Sequence, residues 1–140
     1  MKSTKLVATL LLFLCSLSFI GCSKQTDDLP TETKDILTQG QWKVNYYFAD
    51  QDRTSQLSDY NFQFNPNGTL SCTHNASFCT GTWKVIRNVN GFDLLEMNVG
   101  QTNSDLQQLN LTWKITDKNF QLLNMQGQAQ SQYQLRIAKN

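Results

Sequence analysis

Three side chains in one short stretch have the types and spacing to do chemistry: Cys72, His74 and Cys79, within Leu70 to Thr80. Structural zinc takes four such donors, and His74 is the chain's one histidine, so a zinc site would need a carboxylate or water as its fourth ligand. A redox dithiol needs a depressed thiol pKa, and no helix N-terminus is evident here to supply one. The remaining chemistry is a cross-link. If the two flanking strands form a hairpin, Cys72 and Cys79 face each other across it, and outside the cytoplasm such a pair is ordinarily oxidised. Closing so short a loop contributes roughly 2.5 kcal/mol in the chain-entropy model. The expectation is a Cys72–Cys79 disulfide, a solvated His74 and no metal.

Catalytic sets are sparse. A hydrolytic triad would have to use His74, and no Gly-x-Ser-x-Gly elbow occurs. Asp93 and Glu96 offer two carboxylates, yet at three-residue spacing in a strand they point to opposite faces. No glycine-rich phosphate loop follows any strand. We expect no enzyme, no catalytic residue and no cofactor.

Two further cysteines, Cys15 and Cys22, lie at the N-terminus. Met1 to Lys5 carries two positive charges, an apolar run follows from Leu6 to Ile20, and Gly21-Cys22 ends it. Fifteen apolar residues are too few for a membrane span, which needs roughly 20, and fit a secretory signal. Phe19-Ile20-Gly21-Cys22 resembles the bacterial lipobox, with Phe19 in place of the more usual Leu. The resemblance implies a signal peptide over 1–21, cleavage before Cys22, and acyl chains, palmitate among them, on that cysteine. Two or more chains, at about 0.8 kcal/mol per buried CH₂, give stable anchoring. Residues 22–36 then read as lipidated cysteine plus flexible tether: they are polar, aperiodic and contain a proline. Ser23 after the cysteine resembles the outer-membrane sorting pattern. Asp27-Asp28 resembles, loosely, an export tag that brings some Bacteroidetes lipoproteins to the cell surface. The expected location is the outer membrane, on its periplasmic face or at the surface.

Removing the signal takes Lys2 and Lys5 away, leaving ten basic against eleven acidic residues, a net charge of −1. That balance, without a basic cluster, argues against nucleic acid as a partner. The mature chain of 119 residues has room for one core. From Gly40 onward it alternates with period two. Trp42, Val44, Tyr46 and Phe48 share one predicted face, with Lys43, Asn45 and Tyr47 opposite. Tyr60, Phe62 and Phe64 form the next set, ending in the turn Asn65-Pro66-Asn67-Gly68. Leu70 and Cys72, then Cys79, Gly81, Trp83 and Val85, then Phe92 to Val99, give three more. Leu109, Leu111, Trp113 and Ile115, then Phe120 to Met125, then Tyr133, Leu135 and Ile137 complete eight strands. Short helical turns are predicted at Thr33 to Leu37 and Ser104 to Leu109. Closing the sheet removes its exposed edges. The predicted fold of residues 37–140 is all-β, an up-and-down antiparallel eight-stranded barrel.

Trp-Lys-Val or Trp-Lys-Ile recurs at Trp42, Trp83 and Trp113, at unequal spacing, which reads as one inward ring and one outward lysine on three strands rather than a solenoid repeat. Gly40-Gln41-Trp42 resembles the Gly-x-Trp signature that opens lipocalins. With the lipobox, Phe62-x-Phe64, Asn67-Gly68 and Gly81-Thr82-Trp83, the mature chain resembles the small lipocalin-like lipoproteins of Bacteroidetes, most of which have no assigned activity. The resemblance implies a secreted, lipid-anchored barrel. True lipocalins carry a C-terminal helix that this chain lacks, and eight short strands can close around side chains alone. The function expected is non-catalytic binding of a small apolar molecule or a glycan, with Trp42, Tyr46, Phe62, Trp83 and Trp113 lining the site. The alternatives are a protein-binding module, such as an inhibitor of a hostile hydrolase, or a passive surface component.

Overall fold

A computed structural model describes residues 32–100 and 104–140. The expected signal, Cys22 and the tether up to residue 31 lie outside the described residues. Helix α1 (Thr33–Thr38) leads into strands β1 (Trp42–Ala49) and β2 (Gln51–Asp52). Helix α2 (Thr54–Leu57) precedes β3 (Asn61–Phe64), β4 (Thr69–His74), β5 (Ser77–Arg87) and β6 (Asp93–Asn98). Helix α3 (Ser104–Gln107), β7 (Thr112–Lys118), β8 (Leu122–Gly127) and β9 (Gln134–Lys139) complete the chain.

Each strand from β3 to β9 pairs antiparallel with the next, and β1 pairs with both β3 and β9. Eight strands therefore close as an up-and-down barrel, the predicted architecture. The two-residue β2 only extends β1, pairing Phe48 with Asp52 and Ala49 with Gln51. Alternation drives the register: Leu123 and Met125 in β8, Leu135 and Ile137 in β9, and Phe62 and Phe64 in β3 all turn inward and are buried. A slip of one residue would turn each of these sets out to water, at about 1.5–3 kcal/mol per side chain.

Antiparallel pairing sorts the connections between two ends. At one end lie α1, the β3–β4 turn, the β5–β6 turn and the β7–β8 turn. At the other lie α2, α3, the β4–β5 turn and the β8–β9 connection. Asparagines build several of these turns. Asn67 Oδ1 accepts from the Thr69 amide, and Asn88 Oδ1 from the amides of Asn90 and Phe92. Gly81 permits a close crossing at the far end, because a Cβ there would overlap the Asn98 carbonyl oxygen.

Two expectations need correcting. In β1 the register shifts between Val44 and Tyr46: Val44 pairs with Ile137 and Tyr46 with Arg136, leaving Asn45 as an unpaired bulge residue. Beyond the bulge the inward parity moves by one, so Tyr47 and Ala49 are buried while Tyr46 and Phe48 are only half-buried. Tyr46 therefore leaves the face it was expected to share with Trp42. Residues 33–36 form the helical turn expected at Thr33 to Leu37, but that turn packs on the barrel as part of α1 rather than ending the tether. Thr33, Ile36 and Leu37 are buried, and Leu37 offers its carbonyl to the Trp42 indole at 2.9 Å.

Candidate functional site

Four of the five side chains expected to line a ligand site do converge inside the barrel. Trp42, Phe62, Trp83 and Trp113 all belong to one contiguous buried cluster. Each indole spends its N–H on the protein's own backbone. Trp42 donates to Leu37 O at 2.9 Å, Trp83 to Asn65 O at 3.0 Å and Trp113 to Leu109 O at 3.1 Å. Phe64 meets Trp83 edge-on at 5.3 Å between ring centroids, and Tyr47 meets Trp113 likewise at 6.2 Å. These rings are packed on one another with their polar atoms satisfied, so they act as core.

Tyr46, displaced by the bulge, lines an outer groove of about 420 Å³ with Arg136, Asn124 and Gln134. The Arg136 guanidinium stands 5.9 Å from its ring. A larger concavity, about 590 Å³, opens beside β5, β6 and the start of β7, under the β8–β9 connection. Thr82, Asn98, Asn110, Thr112, Gln128 and Gln130 give it hydroxyls and carboxamides, and Lys84 and Glu96 form an ion pair at 2.8 Å within it. Trp83, Met97 and Leu111 supply its apolar share. Of the five expected residues, Trp83 is the one that borders this groove. Its amides come from the strand ends and a loop far apart in sequence, with no periodic signal to announce them.

Cys72 and Cys79 are register partners across β4 and β5, with Cα atoms 5.1 Å apart, and they form the expected disulfide. Both sulfurs are thereby withdrawn from the zinc reading, which loses two of its three protein donors. His74 is half-buried rather than freely solvated: its ring meets Tyr60 at a tilt, 4.7 Å between centroids, and its Nε2 lies 3.1 Å from Asn75 Nδ2. Tyr60, His74, Phe78 and Leu106 border a groove of about 300 Å³ at the barrel mouth, where Phe78 is 65% exposed.

The strongest electrostatics sit at the opposite end. The Asp93 side chain, 9% exposed, accepts from Thr33 Oγ1 at 2.5 Å, Lys118 Nζ at 2.8 Å and Arg87 Nε at 2.9 Å. Lys118 also donates to Thr33 at 2.7 Å. Burial alone would raise the carboxyl's pKa. Hydrogen bonds from Arg87, Lys118 and Thr33, with the Lys118 charge, outweigh it and hold Asp93 well below the usual carboxylate range. The cluster clamps α1 to the barrel wall. Glu96, the other carboxylate considered for catalysis, is engaged separately with Lys84.

No protein-family model matches the chain, and no curated protein is similar to it in sequence. Among solved structures it is similar to a DUF4847 family protein from Bacteroides vulgatus ATCC 8482, with a TM-score of 0.57 and 13% identity, over 78% of this chain and 98% of that one. A likeness at that identity shows a shared fold.

Proposed function

We propose that this protein is an envelope-anchored, non-catalytic binding lipoprotein that takes a hydroxyl-rich ligand, a glycan, in the groove beneath the β8–β9 connection. One observation carries the choice of groove over lumen: the three indoles fill the barrel interior and give every N–H to backbone carbonyls. An apolar ligand would have to displace that core. The outer groove is of ordinary ligand-site size, about 590 Å³, and its amide and hydroxyl lining matches the donors and acceptors of a sugar. Anchoring is supported by the sequence through Cys22, and the small lipocalin-like lipoproteins remain the family whose pattern the chain follows.

Titrating the mature protein with a panel of oligosaccharides, followed by NMR shifts of the Asn and Gln side-chain amides, tests this reading. Asn98→Ala and Gln128→Ala should each weaken the response about five- to tenfold, one hydrogen bond's worth. Silence toward every glycan, or quenching of the buried tryptophans by a fatty acid, would refute it.

A second reading rests on the β4–β5 hairpin, which the disulfide braces and which presents Phe78 at 65% exposure. A rigid hairpin with an exposed ring suits insertion into a protein partner's cleft, such as that of a secreted hydrolase. Capture of such a hydrolase by the wild type and its loss in Phe78→Ala would favour this reading over the glycan.

A further inference from the structure

Among the described residues, four of the five large apolar side chains that stay exposed lie toward one end of the barrel: Ile86, Val89, Phe92 and Phe120, with Phe78 at the other. Scattered singly, such residues would need no explanation. Here three of them sit on two neighbouring turns and the fourth, Ile86, on the strand leading into one of them. Phe92 adjoins Asp93 and Phe120 follows Lys118 by two residues, and Asp93 and Lys118 are joined at 2.8 Å. Both bond Thr33, the first residue of α1, so the chain coming from Cys22 meets the barrel between these two turns. Val89 is fully exposed at the tip of the β5–β6 turn. Phe92 lies under the Lys114 ammonium, 3.7 Å from its ring centroid. That pairing of an apolar body with a cationic tip suits a headgroup layer.

We propose that this end of the barrel rests against a bilayer, with Val89, Phe92 and Phe120 entering the boundary between headgroups and acyl chains. The inference rests on acylation of Cys22. Nine residues separate that cysteine from Glu32, and fully extended the ten steps between the two reach at most about 36 Å. A lipid at Cys22 therefore brings in first the α1 end, where the tether joins the barrel, and that is the end carrying the exposed apolar residues. Interfacial contacts of this kind enter roughly 5–10 Å into the headgroup and acyl boundary. Three side chains on short turns can make the shallow part of that contact without refolding.

The test uses the full mature lipoprotein in phosphatidylcholine vesicles, with nitroxides attached singly to Val89→Cys, Phe120→Cys and, at the far end, Ser131→Cys. Labels at 89 and 120 are expected to collide several-fold more with dissolved oxygen than with a water-soluble nickel chelate, and the label at 131 the reverse. Three equally wet labels on an acylated, vesicle-bound protein would overturn the contact while leaving the anchor standing. Labels at 89 and 120 shielded from both reagents would indicate a protein cover, such as a second copy, and also overturn it. Mass spectrometry finding Cys22 without acyl groups, in a chain that stays in the aqueous phase, would remove anchor and contact together.

Discussion

Asp93→Asn tests whether the clamp between α1 and the barrel contributes to stability. The substitution keeps the shape and one acceptor oxygen but removes the charge that Thr33, Lys118 and Arg87 address. Arg87 is 60% exposed, so solvent screens its pair and its loss costs a few tenths of a kcal/mol at most. The Lys118 bond, 28% exposed at the lysine, and the Thr33 bond each contribute about 1 kcal/mol. The expected total is about 2 kcal/mol, or roughly 8 °C in Tm for a domain of this size. Urea unfolding followed by tryptophan emission measures it, since all three indoles are buried. The pH dependence is a sharper check. Because the folded carboxyl titrates below its unfolded value near 3.9, the stabilisation is fully present above pH ~5. It declines as pH falls below 3.9 and is gone once the folded carboxyl itself is protonated. The gap between wild type and variant should thus narrow steadily as pH falls from 5 toward 2. A loss under about 0.5 kcal/mol at pH 7, or a gap that stays constant down to pH 2, would refute the clamp. Thr33→Val should cost less in the Asp93→Asn background than alone, because the two share one network.

Three further outcomes follow from the packing. Gly81→Ala should lose at least about 2 kcal/mol, measured by thermal unfolding, because its Cβ meets the Asn98 backbone rather than a movable side chain. Tyr47→Ala should cost about 3–5 kcal/mol in urea unfolding and Tyr46→Ala under about 1.5, the reverse of what unbroken alternation from Trp42 implies. Reducing the Cys72–Cys79 disulfide should lower stability by about 2.5 kcal/mol, while β7 to β9 keep their amide-exchange protection until global unfolding.

Most of the barrel was legible because one rule, alternation, recurs wherever strands are half-buried. Leu123, Met125, Leu135 and Ile137 follow it without interruption, and the turns at Asn67-Gly68 and Asn88 to Gly91 announce themselves through asparagine and glycine. The rule failed at Asn45. An unpaired residue leaves no mark in composition, and Tyr46, Tyr47 and Phe48 would each satisfy either face. The turn at Thr33 to Leu37 was legible, but its packing against the barrel was not. Thr33 looked like tether because its burial depends on Asp93 and Lys118, 60 and 85 residues away. Four of the five aromatics do converge, but convergence does not distinguish a lining from a filling. That distinction lies in where each indole N–H points, and the acceptors are carbonyls of Leu37, Asn65 and Leu109, which no side-chain pattern encodes. The groove was illegible for a related reason: Asn98, Asn110 and Gln128 are ordinary surface residues until the strand ends bring them together.

The two ends of the barrel impose different demands, and the sequence answers them with different residues. At the α1 end, Asp93 is sunk among three donors beside exposed Val89 and Phe120, an arrangement that holds the incoming chain firmly while leaving apolar tips outward. At the opposite end, carboxamides and hydroxyls border an open concavity, and a cross-linked hairpin carries one ring into solvent. β6 runs from Asp93 at the first end to Asn98 at the second, six residues at about 3.3 Å each, so a clamp and a groove edge lie on one strand. An anchor at Cys22, with the apolar turns of the α1 end on the bilayer as proposed, would leave the groove facing away from it. With the interior closed by its own indoles and Cys22 acylated as proposed, the outward end is the surface that a soluble ligand would reach.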